Sequence, residues 1–126
     1  MIVLLVDDNE RFRQLLRDCL PASTGKVYEC GDGNQALTLF KKYRPDWVLM
    51  DWEMPQKNGI AATREILAEY PKAKICLLTA FNEEEIRLEA LAAGAREFLL
   101  KDDLLQLETI LNGSSAAGSD DNGTAD

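Results

Sequence analysis

The chain contains no histidine. That absence removes serine–histidine and cysteine–histidine catalysis and the commonest transition-metal ligand. It also means that the chain cannot carry a phosphohistidine, and that any metal it binds must be held by oxygen. Cysteine is scarce. Cys19, Cys30 and Cys76 are odd in number, widely spaced and form no C-x-x-C pair, so they read as small apolar residues in a reducing compartment. Long apolar runs are missing as well: none approaches the ~18 residues of a membrane span. Asp7 and Asp8 interrupt the opening apolar run at once, which argues against a signal peptide. A cytoplasmic location with no membrane contact is the resulting expectation. Positive charge is in deficit, with 14 lysines and arginines against 22 acidic residues and a formal charge of −8. Such a domain repels phosphate backbones, so direct nucleic-acid binding is not expected. Arg11, Arg13 and Arg17 cluster early, at helical spacing that reads as a solvated face.

What is present is an alternation of two periods over 126 residues, one domain's worth of chain. The continuous apolar run "IVLLV" (2–6) suggests a strand covered on both faces. Phe12, Leu15, Leu16, Cys19 and Leu20 then follow the spacing of an amphipathic helix. "VYEC" (27–30) is short and mixed, as an edge strand would be. Asp32 and Gln35 stand at capping-box spacing before Ala36, Leu39, Phe40 and Tyr43. "WVLM" (47–50) predicts a third strand, and a helix between Gly59 and Pro71 would turn Ile60, Thr63, Leu67 and Tyr70 inward. "ICLLT" (75–79) and "EFLLK" (97–101) predict the fourth and fifth strands. Asn82 with Glu85, and Asp103 with Gln106, are spaced to cap the helices that follow, and Gly94 and Gly113 to end them. Five strand–helix units predict an α/β, flavodoxin-like doubly wound parallel sheet of order 2-1-3-4-5 over residues 1–112. Residues 113–126, "GSSAAGSDDNGTAD", lack an apolar period and read as a disordered tail or linker.

In such a sheet, ligands sit beyond the carboxyl ends of the strands where the order reverses, between the first and third. The first strand runs into Asp7 and Asp8, the third into Asp51, the fourth ends in Thr79 and the fifth in Lys101. Taken singly, each has an ordinary reading: a turn or cap aspartate, a strand threonine, a surface lysine. Together they place three carboxylates, a hydroxyl and an ammonium at one crevice. Crowded carboxylates repel, and a hard divalent cation resolves the conflict; Mg²⁺ takes oxygen ligands and keeps several waters.

The motifs "VDD" (6–8), "LMDWEMPQKNG" (49–59), "LTA" (78–80) and "ALAAGAREFLLK" (90–101), at these intervals, resemble the receiver domain of two-component response regulators. The resemblance implies that Asp51 is phosphorylated by a sensor histidine kinase or phosphotransfer protein. It implies Mg²⁺ held by Asp8, Asp51 and the Glu53 main-chain carbonyl, with Asp7 acting mainly through water. Lys101 would pair with the phosphoryl group or Asp51, Thr79 would donate its hydroxyl after phosphorylation, and Phe98 matches an aromatic switch position, although its plain reading is a core aromatic. Glu53, Ala80 and Phe81 would neighbour the phosphoryl group. The implied output surface is helix four, strand five and helix five, read by an output domain, a downstream protein or a second copy in a phosphorylation-dependent homodimer. "FLLKDD" is similar to receivers that precede LuxR-type helix-turn-helix domains. Many receivers follow the lysine with a cis proline; here Asp102 follows. Two rivals stand beside this reading. One is an aspartate-nucleophile phosphohydrolase of the haloacid dehalogenase type, which would want an aspartate where Glu53 stands. The other is a partner-binding domain without phosphorylation, against which the set Asp8, Asp51, Thr79 and Lys101 argues.

Overall fold

The computed structural model describes residues 1–54 and 56–113, so Pro55 and nearly all of the expected tail lie outside the described residues. Five strands, β1 (Ile2–Val6), β2 (Lys26–Cys30), β3 (Trp47–Asp51), β4 (Ile75–Thr79) and β5 (Glu97–Leu100), form one parallel sheet in the order β2-β1-β3-β4-β5. The helices between and after them are α1 (Glu10–Cys19), α2 (Gly33–Tyr43), α3 (Gly59–Glu69), α4 (Glu84–Ala92) and α5 (Leu107–Leu111), the last preceded by a 3-10 turn at Leu104–Gln106.

The pleat explains why the three central strands are apolar up to their carboxyl ends. Val3, Leu5, Trp47, Leu49, Cys76, Leu78 and Leu99 face one side and pack on Leu16 of α1 and Leu107, Ile110 and Leu111 of α5. Leu4, Val6, Val48, Met50, Ile75 and Leu77 face the other, against Ala36 and Phe40 of α2, Ile60, Ala62 and Ile66 of α3 and Ala90 of α4. Two covered faces leave no solvent side for polar residues to mark. β2, with one neighbour only, keeps its mixed composition.

Side-chain caps start three helices. Asn9 accepts from the Phe12 N–H at 3.0 Å, Asp32 from the Asn34 N–H at 2.8 Å and Asn58 from the Ala61 N–H at 2.9 Å. Two expected capping boxes are absent. α4 begins at Glu84 with no side-chain cap, and Glu84 instead pairs with Arg87 at 2.7 Å. Asp103 accepts from the Gln106 side chain, so the last helix opens as a 3-10 turn. Three consecutive acids, Glu83 to Glu85, complement the positive end of α4 without a cap. Gly94 ends the α4 segment in the left-handed region at φ +102, as its position suggested.

Of the arginine cluster, Arg11 is exposed as expected, but Arg13 and Arg17 are half-buried and do not form a solvated face. Arg13 Nε donates to Glu29 of β2 at 2.8 Å and Arg17 donates to the other oxygen of the same carboxylate. The cysteines behave as expected: all three are free thiols, Cys30 and Cys76 are buried, and burial pushes both thiols up from their ordinary pKa. Among the described residues no helix is long and apolar enough to cross a membrane.

Candidate functional site

The order reversal places the carboxyl ends of β1 and β3 side by side, with Val6 in register with Met50. Asp7 and Asp8 follow β1 and Asp51 closes β3; one carboxylate oxygen of each lies within 4.8 Å of the others. Lys101, just past β5, reaches across β4. Its backbone N–H donates to the Thr79 carbonyl at 2.8 Å, which fixes where the side chain departs. Its Nζ then donates to Asp7 Oδ2 and lies beside Asp51 Oδ1, each at 2.9 Å. One ammonium thus ties together the first, third and fifth strand ends.

Asp7 is the most constrained of the three acids. Its side chain is buried, with Oδ1 accepting from the Asn9 N–H at 2.8 Å and Oδ2 from Lys101. Its carbonyl accepts from Arg13 Nη1 at 2.6 Å and its N–H donates to the Cys30 carbonyl at 3.1 Å. Asp8 is exposed and lines an open cleft of about 490 Å³ with Trp52, Glu53, Met54 and Asn58. Asp51 is buried at 4% exposure, and burial is the main reason its carboxyl is raised to about 6; the Lys101 hydrogen bond lowers it and the Asp7 charge raises it further. For Lys101, burial alone would favour the neutral amine, but the pairs with Asp7 and Asp51 outweigh it and hold the pKa above the ordinary value.

Thr79 is buried, and its Oγ1 accepts from the Phe81 N–H at 3.1 Å, leaving the hydroxyl hydrogen free to donate elsewhere. Ala80 and Phe81 are exposed beside it. Phe98 is half-buried and packs against the cluster on the α2–α4 face. No peptide bond among the described residues is cis, so the Lys101–Asp102 bond is trans.

Three charged oxygen-donor groups facing one ammonium leave an excess of negative charge. Hard oxygen ligands in that balance fit Mg²⁺ and disfavour softer transition metals. Gly59 shapes the wall of the site: a Cβ there would stand 2.2 Å from the Asp51 carbonyl oxygen, while its N–H donates to the Trp52 carbonyl at 2.9 Å. Gly59→Ala is therefore expected to push β3 and α3 apart and to cost about 2 kcal/mol. Urea unfolding checks this; a loss under half that size would mean the backbone relaxes freely.

Reasoning from sequence missed Arg13 and Asn9 as supports of Asp7. Asn9 had a usable signal, an N-cap residue directly before a helix period. Arg13 had none, because its partner Glu29 lies 16 residues away on β2.

A family model described as the response regulator receiver domain matches residues 3–112. Protein CcdB of Bacillus subtilis is 45% identical over 100 residues, covering 79% of this chain and 83% of that protein. The transcriptional regulatory protein YxjL of the same organism is 40% identical over 104 residues, covering 81% of this chain but only 48% of its own length. Among solved structures, the signal receiver domain of the response regulator NarL from Mycobacterium tuberculosis matches with a TM-score of 0.79 and 30% identity, covering 91% of this chain and 96% of that one.

Proposed function

The chain belongs to the response regulator receiver family, and on that premise we propose that it accepts a phosphoryl group on Asp51 and converts it into a change of surface. The donor is a phosphohistidine of a sensor histidine kinase or phosphotransfer protein. An Asp51 carboxylate oxygen attacks phosphorus in line, the phosphorus–nitrogen bond breaks, and the donor imidazole leaves with the electron pair and takes up a proton. The product is an acyl phosphate, which water hydrolyses to reset the signal. The observation that carries the reading is Lys101 Nζ placed 2.9 Å from both Asp7 and Asp51, where it can follow charge from the carboxylate to the phosphoryl oxygens.

Mg²⁺ would be held by Asp8, Asp51 and the Glu53 main-chain carbonyl, with Asp7 acting mainly through water, and would supply charge neutralisation for the phosphoryl oxygens. Thr79 donates its free hydroxyl hydrogen to the new phosphoryl group, drawing the following loop inward, and half-buried Phe98 turns into the space released. The resulting two-state shift alters the surface of α4, β5 and α5. That surface speaks to an output domain, a downstream protein or a second copy. The proposed unit is residues 1–112, in the cytoplasm, without direct contact to nucleic acid or membrane. It is a signalling module, as receiver domains are, rather than a turnover enzyme.

Acetyl phosphate tests the reading. Intact mass should show one added phosphoryl group in the presence of Mg²⁺, none after chelation, and none in Asp51→Asn. Steady turnover of small phosphate esters would instead favour the phosphohydrolase. Glu53 and Phe81 stand exposed at the rim of the site, where a carboxylate and a ring obstruct attacking water. Glu53→Asn and Phe81→Ala are expected to shorten the phosphoryl lifetime severalfold in a pulse-chase assay; unchanged or longer lifetimes would show that neither side chain shields the group.

A further inference from the structure

The Lys101 ammonium lies 4.4 Å from the centroid of the Phe12 ring. Two of its three N–H groups face Asp7 and Asp51. The other side of its stem borders an open cleft of about 300 Å³ between α1 and the β5–α5 connection, lined by Leu15, Cys19, Asp102, Leu104 and Leu105. A four-carbon stem can swing into such a cleft, and the exposed Asp102 carboxylate offers it a competing partner there. Phe12 is half-buried, and α1 fixes where it stands: the Asn9 cap bonds the Phe12 N–H, while Arg13, the next residue, anchors the same first turn to Glu29 and the Asp7 carbonyl.

We propose that Phe12 is a positioning residue for Lys101, its ring face holding the ammonium on the phosphoryl side of the cleft. A ring quadrupole attracts a cation without a directed hydrogen bond. The ammonium can therefore shift from Asp51 toward newly arrived phosphoryl oxygens while the ring still holds it. A carboxylate in the same place would hold it back. The proposal rests on Asp51 as phosphoacceptor for its effect on rate, but not for its geometry.

Ring-fluorinated phenylalanines at position 12 test it, because they keep the shape of the ring and drain charge from its face. The phosphorylation rate with acetyl phosphate and saturating Mg²⁺ should fall stepwise with fluorine number, by about fivefold at full fluorination, with the melting temperature unchanged. Phe12→Trp should retain the rate and Phe12→Leu should not. In the unsubstituted protein the Lys101 ε-methylene protons should resonate upfield of ordinary lysine, and Phe12→Leu should return them to the ordinary position. A flat fluorine series, or an unshifted ε-methylene, would overturn the proposal. Failure of the unsubstituted protein to take up a phosphoryl group would strike the Asp51 reading alone, and the ε-methylene shift would then decide the role of Phe12 by itself.

Discussion

Lys101→Met is expected to destabilise the metal-free protein by about 3 kcal/mol at pH 8. Lys101 is the only cation paired with either Asp7 or Asp51 through a side-chain oxygen among the described residues. Both carboxylates are almost fully buried, with side-chain exposures of 1% and 5%. Methionine keeps most of the apolar stem and removes the charge, so two neighbouring anions would remain with no countercharge and little water. Mg²⁺ should recover part of the deficit by taking over the neutralising role, and it should stabilise the variant more than the unsubstituted protein. Acid should also shrink the deficit, because Asp51 titrates near 6 even with Lys101 beside it and its proton removes one of the two opposed charges. Urea unfolding at pH 8 and pH 5, with and without Mg²⁺, reads all three effects. A loss below 1 kcal/mol at pH 8, insensitive to Mg²⁺, would show that the ammonium does not carry the charge balance of the site.

Asp51→Asn should abolish phosphoryl acceptance and yet stabilise the metal-free fold. Burial raises the Asp51 carboxyl from 3.8 in its ordinary setting to about 6 in the folded protein. The folded state therefore binds this proton more tightly than the unfolded state does. The stabilisation linked to the proton is fully present below pH 3.8 and is lost as pH rises through about 6. Above that, the folded chain carries the cost of an ionised buried carboxylate, which the shift sets at up to about 3 kcal/mol. Asparagine never ionises. Its advantage should be near zero at pH 4, grow between pH 4 and 7 and level off above. Loss of activity with gain of stability in one substitution is the mark of a site whose charge is kept for chemistry. Equal stability of the two proteins across the whole range would mean that the Asp51 charge is solvated and the pocket is not as dry as its burial indicates.

These effects arise from residues that the sequence exposes to different degrees. The sheet was readable because each central strand is a short apolar run between turn or helix signals, and because strand–helix alternation leaves few topologies open. Asp7, Asp8, Asp51, Thr79 and Lys101 were readable as a group because strand ends in a parallel sheet share one rim. Their hydrogen bonds were not. Lys101 contributes to Asp7 as well as to Asp51, a contact across 94 residues that no local pattern announces. The Arg13 and Arg17 pairing with Glu29 was hidden for the same reason, since helical spacing describes a face without saying what it meets. The last helical segment does follow Asp103 and α4 starts one residue late, but neither capping box forms, because capping-box spacing recurs wherever acids and amides are frequent. In both segments the side chains bond to each other, Glu84 to Arg87 and Asp103 to Gln106, and not to the backbone.

The central claim is chemical: the carboxylate of Asp51 becomes an acyl phosphate. Borohydride reduces an acyl phosphate to an alcohol, turning a phosphorylated aspartate into homoserine. After treatment with acetyl phosphate and Mg²⁺ and then borohydride, peptide sequencing by mass spectrometry should find homoserine at position 51 and at no other aspartate. Homoserine at Asp7 or Asp8, or none anywhere in a protein that has gained phosphoryl mass, would contradict the account.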